Sequence, residues 1–364
     1  MEKRIRGGKS SVVRVLRDRC GLKASPLLGS LAGRKSAFTM AEILLSLTII
    51  GVVAAITLPS LTGNINERTW NTQRKALFAR MSQAISLMDS IRGYGNVVVA
   101  VPPDPWFFGH YSVNGTTEAF LTAGLAKVFK LNNICDSTHI MDCGMPNEII
   151  NLAGSKMQIN SMHNYCDIHH GYSSVCGNPT LNGDLAAFET QNGESVLAWY
   201  NPVCMDFLSA GAKMAGGTGH MNAASPLSVM CVNFIYDLNG KKGPNTVNKD
   251  VGVMTVFYPT DPVVVAPVFA SKNASDGGIS YSQIGRICSQ QGEDWRPPNK
   301  EELMSMHINY KFIEPTLYGG NYFYWYSSSK CTTSSGQICH WDLWGPSYLY
   351  ANTSNDGALR CVKR

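Results

Sequence analysis

The sequence predicts an α+β protein in which one long N-terminal helix packs on an antiparallel sheet and a second α+β region follows. Three observations support this fold class. An apolar run of 21 residues, Phe38 to Leu58, leads into a helical pattern, strand-like segments follow between residues 184 and 258, and from about residue 280 the composition shifts toward Trp, Tyr, Ser and Cys. A helix followed by consecutive strands is the element order of α+β domains.

The first 37 residues form a basic leader. Ten Lys and Arg residues stand against Glu2 and Asp18, so this leader carries a net charge of +8, whereas the whole chain carries +5. The remainder of the chain therefore carries −3. Because the basicity belongs to the leader, we expect no nucleic-acid-binding surface in the rest of the protein.

The apolar run at residues 38–58 is long enough to cross a membrane. As a helix it would span roughly 30 Å, the thickness of the hydrocarbon core. The cations that precede it predict a cytoplasmic N-terminus and an extracytoplasmic remainder, so the chain is expected to be a single-pass protein of the inner or cytoplasmic membrane. Glu42 is the one charged residue in the run. An acid within lipid is costly unless it has a partner, which makes Glu42 a candidate functional residue.

The residues around Glu42 carry a specific motif. AFTMAE at residues 37–42, followed by the apolar run and Pro59, resembles the class III signal of type IV pilins and type II secretion pseudopilins. The resemblance implies that a prepilin peptidase cleaves between Ala37 and Phe38 and that an N-methyltransferase modifies the new amine of Phe38. It also implies that Glu42 pairs with that amine on a neighbouring subunit. Ala37 replaces the usual Gly, and the leader is long. An ordinary membrane anchor with a Glu near the interface is the alternative.

The helical pattern continues beyond Pro59, so we predict one helix over residues 38–92 with its transmembrane part at 38–58. Pro59 removes a backbone hydrogen bond and is expected to bend or loosen the helix. Gly93 and Gly95 are expected to end it. An apolar stripe should pack on the sheet, as in pilins. Its residues are Trp70, Leu77, Met81, Ile85, Met88 and Ile91.

Residues 93–275 are predicted to form a pilin-like globular head. A helix is expected at Ala119–Val128, and the remaining residues between 97 and 180 show no pattern that orders them. Clearer strand signals follow, and a QNGE turn joins the first two strands into a hairpin. The predicted strands are residues 184–190, 195–200, 228–236 and 251–258.

Ten of the eleven cysteines follow the apolar run. This even number indicates an oxidising compartment and up to five disulfides. The sequence leaves open the pairing of Cys135, Cys143, Cys166, Cys176, Cys204 and Cys231.

Two clusters contain residues that can bind metals. HNYCDIHH, residues 163–170, offers imidazole and thiolate groups to zinc, but an oxidising setting favours a disulfide at Cys166 and a plain polar loop. The second cluster lies between two predicted strands and offers oxygen atoms, which calcium prefers; the alternative is an ordinary Asn/Gly turn. Its residues are Asp237, Asn239, Asn245 and Asp250. The ordinary turn is the favoured interpretation, so no cofactor is predicted, with calcium at these residues as the alternative.

Residues 280–364 carry a second resemblance. Cys288, Trp295-Arg296-Pro297, YWYSS at 324–328 and Arg360-Cys361 are similar to the C-type-lectin-like domains at the ends of some fimbrial and collagen-like surface proteins. The resemblance implies a Cys288–Cys361 disulfide and an inner Cys331–Cys339 disulfide. The aromatic residues at 322–326, with Trp341 and Trp344, could bind a surface or carbohydrate ligand; core packing is the favoured alternative.

No catalytic pattern stands out, so the sequence predicts a protein that is not an enzyme. The pilin resemblance implies a subunit of a type IV pilus or a type II secretion pseudopilus, with other such subunits as partners and a cell-surface filament as its final location. The bulk of the C-terminal region favours a minor subunit. The alternative is a monomeric membrane-anchored adhesin whose lectin-like domain carries the function.

Overall fold

A computed structural model gives the fold of the protein. The structure describes residues 39–88, 116–168, 184–201, 230–257, 263–270, 275–279, 281–313, 323–325, 338–342, 347–351 and 357–363; for residues 56–65, 275–278, 281, 323–325, 338–342, 347–351 and 357 it describes the backbone alone. The protein is a mixed α+β protein with an antiparallel central sheet, as the sequence predicts.

Helix α1 (Met40–Met88) contains 49 residues and continues through Pro59. The expected weakening at Pro59 therefore does not interrupt the helix. The chain divides into two compact units between Ser60 and Leu61, so α1 contributes to both of them. The predicted helix end near Ile91 lies outside the described residues.

The second half of α1 buries the predicted stripe. Leu77, Met81, Ile85 and Met88 are each at most 1% exposed, and Trp70 is partly buried in the same cluster. Spacings of three and four residues place these side chains on one side of the helix. The apolar stripe is therefore core, as the periodicity predicts.

The segment after position 115 begins with helix α2 (residues 117–128), whose middle, Phe120–Leu125, is π-helical. The Thr116 hydroxyl caps it by accepting the N–H of Ala119 at 3.2 Å. The predicted helix at residues 119–128 is confirmed. Short elements that the sequence could not order follow: β1 (Leu131–Cys135), β2 (Glu148–Ile150), β3 (Lys156–Gln158) and α3 (Tyr165–Ile168).

The central sheet contains six strands in the order β1-β4-β5-β6-β7-β8, and each neighbouring pair is antiparallel. Its strands after β1 are β4 (Ala186–Thr190), β5 (Ser195–Tyr200), β6 (Met230–Asp237), β7 (Val251–Phe257) and β8 (Val263–Val265). The four predicted strands are confirmed as β4 to β7. The two edge strands, β1 and β8, were not predicted because they are short and carry no clear alternation.

Both faces of this sheet are buried. Along β5, Val196 and Ala198 pack in the cluster that contains the α1 stripe, while Leu197 and Trp199 pack in a second cluster on the other face. Successive strand residues point to opposite faces, so burial of both faces explains why these strands are apolar without alternating.

In the described part of the C-terminal region, three short α-helices and a second sheet follow. Its elements are β9 (Val268–Phe269), β10 (Ser275–Ile279), α4 (Ile284–Ser289), α5 (Lys300–Ile308), α6 (Tyr310–Ile313), β11 (Phe323–Trp325), β12 (Ile338–Asp342), β13 (Ser347–Ala351), β14 (Gly357–Leu359) and β15 (Val362–Lys363). The second sheet has the order β10-β14-β11-β12-β13, in which β11 and β14 are parallel, and β15 pairs separately with β9.

This C-terminal region is not a separate compact unit. Residues 61–364 form one unit, and Leu303 and Phe312 of the C-terminal helices share a core cluster with Leu197 and Trp199 of the central sheet. The predicted division into a head at 93–275 and a domain at 280–364 stays a prediction, while α5 and α6 cover the second face of the central sheet.

A buried polar contact joins α5 to this face. The Asn233 amide donates to Asn309 Oδ1 at 2.8 Å, and the Asn309 amide donates to Asn233 Oδ1 at 3.0 Å. Thr255 Oγ1 donates to Asn233 Oδ1 at 2.9 Å and lies 2.7 Å from Ser305 Oγ. All four residues are at most 2% exposed. Because each amide satisfies the other, the pairing fixes one arrangement of the C-terminal helices on the sheet.

Candidate functional site

The N-terminal end of α1 holds the residue that the motif singles out. Ala37 and Phe38 lie outside the described residues. Glu42 lies in the first turn of α1 and is exposed. Its Oε2 accepts the backbone N–H of Thr39 at 2.8 Å and the Thr39 hydroxyl at 3.0 Å, while Thr39 Oγ1 accepts the N–H of Glu42 at 3.2 Å. This reciprocal pattern is a capping box, so Glu42 has a partner within its own chain.

The first turns of α1 expose apolar side chains. Nine large apolar residues between Met40 and Val53 are 45–78% exposed. An exposed apolar surface of this extent usually marks an interaction site.

The predicted membrane span runs from Phe38 to Leu58. Among the described residues, no helix combines the length and the apolar character that crossing a bilayer requires.

The second candidate site is the polar loop, residues 237–250, between β6 and β7. Asp250 organises its last turn, because its carboxylate accepts the N–H of Asn245 at 2.9 Å and that of Thr246 at 2.8 Å. Asp237 begins the loop, and its Oδ1 accepts the N–H of Asn239 at 3.0 Å. Both Asp residues are 0% exposed. The four residues named from the sequence therefore do meet in one loop.

The Asn245 amide lies beside two oxygen atoms of the polar loop. It is 3.2 Å from Gly240 O and 3.2 Å from Asp237 Oδ2, and its nitrogen donates to both when it points toward them. In the opposite orientation the amide oxygen would face these two oxygen atoms, and a cation such as calcium would be needed to compensate them. Asn239 Oδ1 is buried without a hydrogen-bond partner. Burial, with Asp250 as a further contribution, raises the pKa of Asp237 to about 8. A bound cation would remove this obstacle to ionisation.

The oxygen-only donor set fits calcium. Oxygen ligands from carboxylates, amides and carbonyl groups are those that calcium takes in proteins. Two acids alone are few for a tight site, and within the described part of the chain no group of three or more His, Cys, Asp or Glu side chains forms a metal cluster. The polar loop would therefore use amide and carbonyl oxygens to complete the coordination.

The zinc hypothesis for residues 163–170 is wrong for Cys166, its described cysteine. Cys166 is in a disulfide and cannot supply a thiolate. Asp167 Oδ2 accepts the N–H groups of His163 and Asn164 at 2.6 and 3.0 Å, so this side chain caps a short helix. His169, His170 and Cys176 lie outside the described residues.

Several of the predicted disulfides are present among the described residues. The implied Cys288–Cys361 bridge is present, with Cα atoms 5.5 Å apart, and Cys135 pairs with Cys143. Cys231, like Cys166, is also disulfide-bonded. Cys331 lies outside the described residues, and only the backbone of Cys339 is described. The proposed inner disulfide therefore stays a prediction.

The described residues of the C-terminal aromatic group, for which core packing is favoured over ligand binding, lie in the second sheet. Tyr324 pairs with Trp341 in the strand register, and Trp341 pairs with Tyr348. Tyr322, Tyr326 and Trp344 lie outside the described residues. The predictions of a sugar platform and of core packing both stay open.

Sequence reasoning missed the polar residues that hold these parts together. Arg74 of α1 contacts the polar loop, Arg80 of α1 pairs with the buried Glu194 of the β4–β5 turn, and Asn309 pairs with Asn233. Arg74 and Arg80 lie between the apolar positions of the helical pattern. Their spacing of six residues carries no signal of the partners, which lie more than 110 positions away.

Comparison of the chain with protein-family models, curated proteins and solved structures finds no match.

Proposed function

We propose that the protein is a pilin-like or pseudopilin subunit that assembles through its N-terminal helix into a type IV pilus or a type II secretion pseudopilus. The observation that carries the proposal is the AFTMAE motif at residues 37–42, with its single acid at the start of an apolar helix. In this proposal a prepilin peptidase frees the amine of Phe38, an N-methyltransferase modifies it, and the membrane holds the subunit until assembly.

The capping box supports a two-stage role for Glu42. Before assembly, Thr39 supplies hydrogen bonds to the carboxylate within the same chain. In a filament, the amine of a neighbouring Phe38 would offer a full opposite charge in an apolar layer, where an unpaired ion is strongly unfavourable. The carboxylate therefore has a weaker partner in the free subunit and a stronger one in the assembly.

The exposed apolar turns of α1 and the burial of its second half support the same role. The exposed residues between Met40 and Val53 offer a surface for lateral packing with other subunits. The second half of α1 packs against the central sheet and so holds the helix on the head. The C-terminal helices and the second sheet enlarge the head. A head of this size on every subunit would not fit easily in a densely packed filament shaft. We therefore propose a minor subunit, with its head presented at the cell surface to a surface or carbohydrate ligand. The role is assembly and binding, not catalysis.

Glu42→Gln tests the charge separately from the cap. Gln can replace Glu in a capping box, so the helix start should persist while the charge is lost. Filament incorporation, measured by immunoblotting of sheared filaments, should fall at least tenfold, since one lost buried charge pair exceeds about 1.4 kcal/mol. Membrane levels should stay unchanged. Glu67→Gln, which changes an exposed acid in α1, is the matched control and should assemble normally.

Two results would contradict the proposal. Terminal mass spectrometry should show a chain that starts at methylated Phe38, and an unprocessed surface protein would exclude pilin maturation. Normal surface display and adhesion of the Glu42→Gln protein, without any filament, would instead favour the monomeric membrane-anchored adhesin.

The same proposal includes a calcium ion in the polar loop. Asp237, Asn239, Asn245 and Asp250 would hold it together with the Gly240 carbonyl. Calcium, added to the purified full chain in detergent, should raise the midpoint of thermal unfolding more than magnesium does, because the smaller ion requires stricter geometry. Asp237→Asn should abolish the shift, whereas Asp142→Asn, at an exposed acid, should keep it. Equal midpoints with and without calcium would exclude the ion.

A further inference from the structure

Arg74 joins the middle of α1 to the polar loop. One guanidinium nitrogen, Nη2, donates to the carbonyl oxygens of Asn248 at 2.8 Å and Lys249 at 2.9 Å. The other, Nη1, donates to Asn71 Oδ1 at 2.9 Å. Arg74 is only 7% exposed. A cation used in this way fixes both the position and the direction of the two carbonyl groups.

These carbonyl groups belong to the turn that carries the candidate calcium ligands. Asn248 and Lys249 immediately precede Asp250, and Asp250 holds the N–H groups of Asn245 and Thr246. Asn245 and Asn248 both have positive φ angles, 48° and 69°, a left-handed conformation that Asn tolerates better than most other residues. Arg74 supports this turn from α1.

The turn is held from a second side as well. The Asn248 amide donates to Phe269 O at 2.6 Å. Displacing the turn would therefore require loss of contacts to both α1 and β9. The polar loop is therefore held in place by contacts to both α1 and β9. The positions of its candidate ligand atoms consequently depend on how α1 packs on the head.

We propose that Arg74 is a positioning residue that couples calcium binding in the polar loop to the packing of residues 68–88 of α1 on the head. The inference depends on the calcium ion of the proposed function. Arg74 is not a ligand: it holds the turn in the conformation that presents Asn245 and Asp250. Coupling of this kind is reciprocal, so calcium tightens the helix and the seated helix raises calcium affinity.

The coupling has a consequence for assembly. A subunit in a calcium-containing exterior would hold α1 firmly on its head, whereas calcium removal would loosen the segment that connects the head to the assembling part. The divalent cation would thus regulate the rigidity of the subunit through a contact that lies outside its coordination shell.

The test measures calcium affinity and helix protection on the full chain in detergent. Calcium is titrated by calorimetry into the wild type, Arg74→Gln and Asn71→Ala, with Arg68→Gln as the matched control at an exposed arginine of the same helix. Loss of a residue that orients metal ligands typically lowers affinity about 10–100-fold, and this is expected for Arg74→Gln. Asn71→Ala removes one support of Arg74 and should lower affinity by a smaller factor, while Arg68→Gln should leave it unchanged.

Hydrogen exchange followed by mass spectrometry gives the second readout. Calcium should slow exchange of residues 68–88 in the wild type but not in Asp237→Asn, which keeps the Arg74 contacts and loses a ligand. If Arg74→Gln fails to fold, the wild-type exchange and Asn71→Ala still decide the matter. The coupling would be overturned if calcium affinity were unchanged in both Arg74→Gln and Asn71→Ala. It would also be overturned if calcium bound the wild type without slowing hydrogen exchange of residues 68–88. Either result would leave the calcium site itself intact. Absence of calcium binding to the wild type would overturn the coupling and the ion together, without affecting the processing and assembly proposal.

Discussion

The two faces of the central sheet are buried by different kinds of partner. The first face packs against the stripe of α1 and against α2, and the second packs against the C-terminal helices and residues 135–165. The first interface is formed by apolar side chains, while Arg74 binds the polar loop and Arg80 pairs with Glu194. The second contains the Asn233–Asn309 amide pair at its centre. The comparison teaches that α1 can be placed by apolar periodicity, whereas the C-terminal layer needs polar contacts to fix its position.

The largest expected effect tests whether both layers belong to one cooperative unit. Phe120→Ala in α2 and Phe312→Ala in α6 each remove a side chain that is 0% exposed, one from each layer. Each change should lower the free energy of unfolding by about 3–5 kcal/mol. Urea unfolding followed by circular dichroism should show one transition for both variants. Two separate transitions in Phe312→Ala would show that the C-terminal region folds by itself.

The Cys288–Cys361 disulfide, which lies in a separate small core cluster of the C-terminal region, should have an effect of similar size. Cys288 and Cys361 are 73 positions apart, and a loop of this length restricts the unfolded chain by about 4 kcal/mol in the chain-entropy view. The Cys288→Ala/Cys361→Ala protein should therefore have a lower unfolding midpoint by thermal denaturation. The Cys135→Ala/Cys143→Ala protein is the control, since its loop spans only 8 positions and its loss should matter less. Equal losses would argue against the entropic explanation.

A smaller effect is expected at the amide pair. Asn233→Ala leaves the Asn309 amide in the core without its partner, which should cost about 1–3 kcal/mol. The exposed-edge contact of Asn132 with Thr190 O provides a comparison, and Asn132→Ala should cost less than about 1 kcal/mol. Urea titration measures both. If the double variant Asn233→Ala/Asn309→Ala loses as much as the two single changes added together, the amides are not coupled.

The smallest effect is expected at the margin of the α1 interface. Arg80 pairs with Glu194, whose side chain is 6% exposed, while that of Arg80 is 32% exposed. Arg80→Ala should lower stability by about 1–2 kcal/mol, less than breaking a fully buried pair, because water still reaches the arginine. Lys75→Ala, at an exposed site of the same helix, should change the unfolding midpoint little. Equal effects of the two changes would remove any special role for the Arg80–Glu194 pair.

Much of the first layer could be predicted from the sequence, because its signals are local. The spacing of Leu77, Met81 and Ile85 defines a helix face, and the QNGE turn at 191–194 defines a hairpin that the structure places between β4 and β5. The polar loop was recognised by its residue types alone. Its Asp237 and Asp250 are both buried, but the contact of the Asn245 amide with Gly240 O and Asp237 Oδ2 depends on backbone geometry that composition does not report.

The sequence by itself determined the α+β class, the course of the long helix, the four central strands and the motif around Glu42. Each of these depends on residues that are near one another in the chain, where periodicity and spacing act directly. Only the tertiary structure decided that the C-terminal helices cover the second face of the sheet, that Arg74 holds the polar loop and that Asn233 meets Asn309. These contacts join positions that are 76 to 175 residues apart, and such pairing is selected by packing and hydrogen-bond satisfaction in the folded chain.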